Sequence, residues 1–170
     1  GMAHRHMAGY AASGRCVLAA VADLNHENAV AFVTQHQPNA AIFADYREMM
    51  EKIRPDVVSV CLWPHLHADV VCGLAPFRPR AVLCEKPMDI HWDAAVRMHE
   101  ACRQNGVLLA INHQRRFNRP IAKAKELLAA GAIGQLRRLE GAWHKLADCG
   151  THVIDLIFFF NGDTPVDWVL

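Results

Sequence analysis

Two spacings of apolar residues alternate along the chain. Continuous apolar runs that stop at a polar group read as strands buried on both faces, and stretches with apolar positions three and four apart read as amphipathic helices. CVLAAVAD (Cys16 to Asp23) is a run of the first kind and ends in an acid. NHENAVAFVTQHQ then predicts a helix, AAIFAD a short strand, DYREMMEKI a short helix, and DVVSVCLW (Asp56 to Trp63) a valine-rich buried strand. HLHADVVCGLA predicts a helix, RAVLCE a strand ending at Glu85, HWDAAVRMHEACRQNG a helix stopped by Gly106, and VLLAIN the next strand. Apolar strands alternating with helices define an α/β fold, a doubly wound parallel sheet with helices on both faces and right-handed crossovers.

The pattern changes near Asn112 to Asn118. RPIAKAKELLAAGAIG predicts a helix with a glycine stop, and QLRRLEGAW a strand with one exposed face. HVIDLIFFFNG predicts an apolar helix and VDWVL a last strand. We therefore expect residues 1–114 to form a nucleotide-binding domain and residues 115–170 to open a second one. The sheet has no obvious opening strand and the last strand is cut short, so the sequence reads as incomplete at both ends.

Composition narrows the classes. Half of the 170 residues are apolar, enough for a real core, and the formal charge of +1 gives no basic bias toward nucleic acid or an anionic membrane. No apolar run approaches the ~18–20 residues of a membrane span, and GMAHRHMAGY has no signal-peptide core. The six cysteines are scattered singly, which suits reduced thiols and a cytoplasmic location.

Candidate chemistry sits where strands end. In VLCEKPM (Val82 to Met88) an apolar run stops at a carboxylate, an amine and a proline. Glu85 and Lys86 thus fall at the carboxyl edge of the sheet, where ligands bind in open α/β folds. Asp23 ends the second expected strand, placed to accept hydrogen bonds from an adenosine ribose; its charge would repel a 2′-phosphate, which favours NAD over NADP. GMAHRH reads as the tail of a glycine-rich turn, with Gly1 and Met2 as its variable pair and Ala3 at the final small position. His65 and His67 stand two apart on a helix and so point apart, which argues against a metal site.

Taken in order, these residues resemble the glucose–fructose oxidoreductase/inositol dehydrogenase (Gfo/Idh/MocA) family. GMAHRH is similar to the end of its glycine turn, with His6 in the usual place of a histidine. LWPHLHADV resembles its TPxxxHA segment, with Pro64, His67 and Ala68 matching and Trp63 replacing threonine. CEKPM is similar to its hallmark, NHQRRFN to the opening of its second domain, and LADCGTHVIDL to its D-x-x-x-H-x-x-D helix. The resemblance implies a Rossmann domain followed by an α/β domain with a large, open, mainly antiparallel sheet. Members carry a longer connection where only His144 to Ala147 stand here, so a loop reads as omitted between Trp143 and His144.

The resemblance also implies a site. Lys86, Asp148 and His152 would be catalytic, with His152 as base, Lys86 as polarising cation and Asp148 orienting the imidazole from one turn earlier. Gly1, Met2, Ala3, Asp23, Pro64, His67, Glu85 and Lys86 would meet the cofactor, NAD rather than NADP. Lys86, Arg116, His152 and Asp155 would meet a sugar, sugar derivative or cyclitol whose secondary alcohol exchanges hydride with nicotinamide. Each has a plainer alternative: Lys86 as a solvated strand-end lysine, His152 as a packed helix residue, Arg116 and Asp155 as surface charges. A non-catalytic NAD(H)-binding regulator, or a lyase or hydrolase using NAD transiently, would carry the same scaffold. Members commonly pair through the second domain, which implies a homodimer or homotetramer.

Overall fold

Capping chemistry sets most element ends. The computed structural model describes residues 1–145 and 149–168, in two units, Gly1–Ile111 and Asn112–Leu170. In the first, helix α1 (Met2–Ser13) leads to strand β1 (Ala20–Ala22), helix α2 (His26–His36), strand β2 (Ala41–Phe43) and helix α3 (Tyr46–Ile53). Strand β3 (Val57–Val60), helix α4 (Pro64–Leu74), strand β4 (Ala81–Cys84), helix α5 (Trp92–Asn105) and strand β5 (Leu108–Ile111) follow. Asn25 caps α2 by accepting from the Asn28 N–H, and Asp45 caps α3 by accepting from that of Arg47. Gly106 ends α5 at φ 70°, a left-handed cap that costs glycine nothing.

All strand pairs are parallel. β1 pairs β2 with Ala20 opposite Ala41, and β3–β4–β5 form a second sheet with Val57 opposite Ala81 and Ala81 opposite Leu108. In the doubly wound order 3-2-1-4-5-6, β2 and β1 take places 3 and 2, and β3, β4 and β5 take places 4 to 6. The strands thus form two separate parallel sheets. β1 is shorter than the expected Cys16–Asp23 run because its ladder partner has only three residues.

Side chains alternate across the second sheet as a pleated strand requires. Val58, Val60, Val82 and Cys84 are buried and join Val71, Leu74, Met98 and Cys102 of α4 and α5 in the core. Ser59, between two buried valines, faces the opposite side, where it meets α1. Helices therefore cover both faces, as expected for this fold class.

The second unit holds a short 3₁₀ turn (Gln114–Phe117), helix α6 (Arg119–Ala129) and helix α7 (Thr151–Phe160). The strand expected over residues 135–143 is not one, and residues 166–168 likewise form no strand. Among the described residues this unit offers no partner strand, and an unpaired strand has no ladder for its N–H and C=O groups. Gly141 lies against α7: a Cβ there would come within 2.2 Å of Val153 Cγ1. No helix among the described residues is long and apolar enough to cross a membrane.

Candidate active site

Because the strands are parallel, Cys61 to Pro64 and Glu85 to Pro87 follow the carboxyl ends of β3 and β4 at one edge of their sheet, and Asp23 follows the carboxyl end of β1 in the other sheet. Helix α1 runs away from that edge. His6, in its second turn, reaches Glu85 beyond the end of β4, while Tyr10, one turn later, reaches Ser59 inside β3. At ~1.5 Å per residue the helix start lies about 6 Å further out than His6. Gly1 is its N-cap, with no side-chain cap and no acidic residue in the first turn, so its free N–H groups and positive dipole end suit a phosphate. Asp23 is exposed at the end of β1, and its Oδ1 accepts from the Asn25 N–H at 2.8 Å. A bare helix start and an exposed carboxylate at the end of a parallel strand are features that fit the pyrophosphate and ribose of a dinucleotide.

The turn after β4 is held from three sides. His67, fully buried, sets Nδ1 2.8 Å from the Pro87 carbonyl oxygen and Nε2 3.1 Å from that of Leu62. Asp89 accepts from the backbone N–H groups of Ala68, Ile90 and His91. Glu85, only 5% exposed, meets the 7% exposed His6 at 2.8 Å, Oε1 to Nε2. Its other oxygen accepts from the Lys86 N–H at 3.3 Å. A buried carboxylate is tolerable only when paired and hydrogen-bonded, which this one is. His6 Nδ1 lies 3.1 Å from Ser59 Oγ and 3.6 Å from Cys61 Sγ, and Tyr10 Oη lies 2.6 Å from Ser59 Oγ. The Cys61 sulfur, then the Glu85 carboxylate, outweigh burial and raise the His6 pKa to about 9. The His67 ring and the Glu85 carboxylate are thus engaged in holding these turns. Pro64 opens α4 at its first turn, and Lys86 is half-buried in the braced turn.

The remaining candidates lie in the second unit. His152 is 3% exposed in the first turn of α7, and the His113 ring meets it edge-on with centroids 5.4 Å apart. Arg116 Nε donates to both carboxylate oxygens of Asp155 at 2.9 Å, and its Nη2 donates to Asp163 at 2.9 Å. Asp155, then Asp163, holds the guanidinium firmly protonated. The two expected substrate contacts thus pair with each other. Asp148 lies outside the described residues. Sequence reasoning gave no role to Ser59, Tyr10, Asp89 or Asp163; the partners of Ser59, Tyr10 and Asp163 are distant in the chain, as is one of the three of Asp89. Asp89 alone carried a local signal, as an aspartate two residues before a helix N-cap.

The parallel strand order, the two helix layers and the phosphate-ready start of α1 define a dinucleotide-binding domain of the Rossmann class. The chain belongs to the Gfo/Idh/MocA oxidoreductase family with NAD-binding Rossmann fold, whose profile matches residues 1–113. It is 32% identical over 93 residues to myo-inositol 2-dehydrogenase of Thermotoga maritima, covering 55% of this chain and 28% of that protein. It is 28% identical over 178 residues to D-glucoside 3-dehydrogenase of Escherichia coli, covering 92% of this chain and 50% of that protein. Among solved structures, the WlbA dehydrogenase of Bordetella pertussis, in complex with NADH and UDP-GlcNAcA, superposes with TM-score 0.80 at 23% identity. That match covers 94% of this chain and 52% of the other, and shows a shared fold. The chain thus spans between about a quarter and about half of the length of these proteins.

Proposed function

We propose that the protein is an NAD-dependent oxidoreductase acting on a secondary alcohol of a sugar, sugar derivative or cyclitol, with Gly1–Ile111 binding the cofactor and Asn112–Leu170 opening the substrate domain. The observation that carries this reading is the braced turn Glu85–Lys86–Pro87 at the same sheet edge as the bare start of α1; the exposed Asp23 carboxylate at the end of β1 adds to it. The inositol and glucoside dehydrogenase relatives support the substrate class.

Gly1, Met2 and Ala3 supply the helix start for the pyrophosphate, and Asp23 the ribose acceptor that disfavours a 2′-phosphate. Nicotinamide, when bound, takes up the hydride released from the carbinol carbon. The Lys86 ammonium stabilises the negative charge growing on the alcohol oxygen, and the His152 imidazole takes the hydroxyl proton. Asp148 would fix the imidazole by its place one turn earlier in the sequence. Arg116 and Asp155, locked together, shape the substrate side as a pair. The protein would work as a homodimer or homotetramer.

The test is a polyol screen on full-length protein with NAD, read as nicotinamide absorbance beside a direct binding titration. Reduction of NAD by at least one sugar or cyclitol is expected. Tight NAD binding with no absorbance change across the panel would replace this reading by that of a cofactor-binding regulator.

A further inference from the structure

We infer that His6 is a positioning residue for the candidate catalytic lysine, gripping Glu85 and through it the backbone of Lys86 against the helix that begins at the cofactor turn. The inference rests on the role proposed for Lys86 above. Its basis is a chain of contacts. Tyr10 Oη to Ser59 Oγ (2.6 Å), Ser59 Oγ to His6 Nδ1 (3.1 Å), His6 Nε2 to Glu85 Oε1 (2.8 Å) and Glu85 Oε2 to the Lys86 N–H (3.3 Å) join α1, β3 and the turn after β4. His6 and Glu85 stand 79 positions apart in sequence, yet both are buried.

Three features give the contact a direction. Ser59 and Cys61 engage Nδ1, so the ring cannot turn without breaking them, and Nε2 stays aimed at Glu85. Glu85 precedes Lys86 directly and already accepts its N–H, so a displaced carboxylate moves the lysine backbone. His6 rides on the same short helix as Gly1, Met2 and Ala3, the residues proposed to meet the pyrophosphate. Seating of phosphate at the helix start and placement of the lysine are thereby mechanically joined.

The test needs no substrate. Full-length protein is acetylated with limiting sulfo-N-hydroxysuccinimide acetate, and Lys86 modification is followed by peptide mass spectrometry. The exposed Lys52 and Lys123 serve as internal standards. In the wild type the half-buried Lys86 reacts more slowly than either. His6→Asn keeps a polar group toward Ser59 but cannot reach Glu85, and Lys86 should then label about threefold to tenfold faster against the standards, the scale of one lost hydrogen bond. His6→Gln, whose amide reaches the Nε2 position, should restore the wild-type ratio. An unchanged ratio in His6→Asn, or no rescue by His6→Gln, overturns the inference. Should His6→Asn fail to fold, Glu85→Ala, which removes the acceptor for the Lys86 N–H, must raise the ratio instead, and an unchanged ratio there is equally fatal. Protection of Lys86 by NAD in the wild type judges the cofactor reading separately, so either idea can fail alone.

Discussion

Replacing His6 by glutamine removes a charge that the fold goes to some length to keep. His6 is 7% exposed, and the Cys61 sulfur and Glu85 carboxylate raise its pKa from 6.5 to about 9. Each unit of pKa difference is worth about 1.36 kcal/mol, so the folded state gains at most about 3 kcal/mol from holding this proton. The sign follows from the direction of the shift. Below pH about 6.5 folded and unfolded chains both carry the proton, and the full stabilisation is present. Between about 6.5 and 9 only the folded state holds it, so stability falls as pH rises and the gain is gone above about 9. Urea unfolding of the wild type and of His6→Gln between pH 6 and 10 isolates the effect, because other groups titrate alike in both. The stability difference should shrink by about 2–3 kcal/mol across that window. Parallel curves would refute the buried imidazolium–carboxylate pair.

Other consequences are as specific. Lys86→Ala should lower turnover by about 10²–10⁴-fold with the fold intact, measured by steady-state kinetics on whichever alcohol the screen identifies. Gly141→Ala should destabilise the protein because its Cβ would meet Val153 Cγ1 at 2.2 Å, and Val153→Ala in the same chain should recover much of the loss in a double-mutant cycle. Cys84, fully buried with its thiol pushed up to about 12 by burial, should resist iodoacetamide in the folded protein while the exposed Cys16 reacts, as peptide mass spectrometry would show. Asp23→Asn should weaken NAD binding and narrow its preference over NADP, read by titrating each cofactor.

The first unit was legible because its signals are local. Continuous apolar runs and caps such as Asn25, Asp45 and Gly106 place the strands and helices within a few residues. The carboxyl-edge positions of Asp23, Glu85 and Lys86 follow from strand ends alone. What escaped depended on partners far away in sequence. The buried link from His6 to Glu85 spans 79 positions, and nothing near either residue announces it. His67 stands in a motif suggesting cofactor contact, yet its ring is spent on two backbone carbonyls. The alternation in QLRRLEGAW has the period of a strand, but a strand forms only where another can pair with it. Arg116 and Asp155 each carried a plausible charge for substrate, and only three dimensions show that they satisfy one another.

Lys86 and His152 are proposed to act on one alcohol. The direct measurement is a crystal structure of the full-length protein with NAD and an alcohol that it oxidises. The account predicts Lys86 Nζ and a nitrogen of the His152 ring both within about 2.6–3.2 Å of the same substrate oxygen beside the nicotinamide. Finding either group turned away from that oxygen in the complex would contradict it.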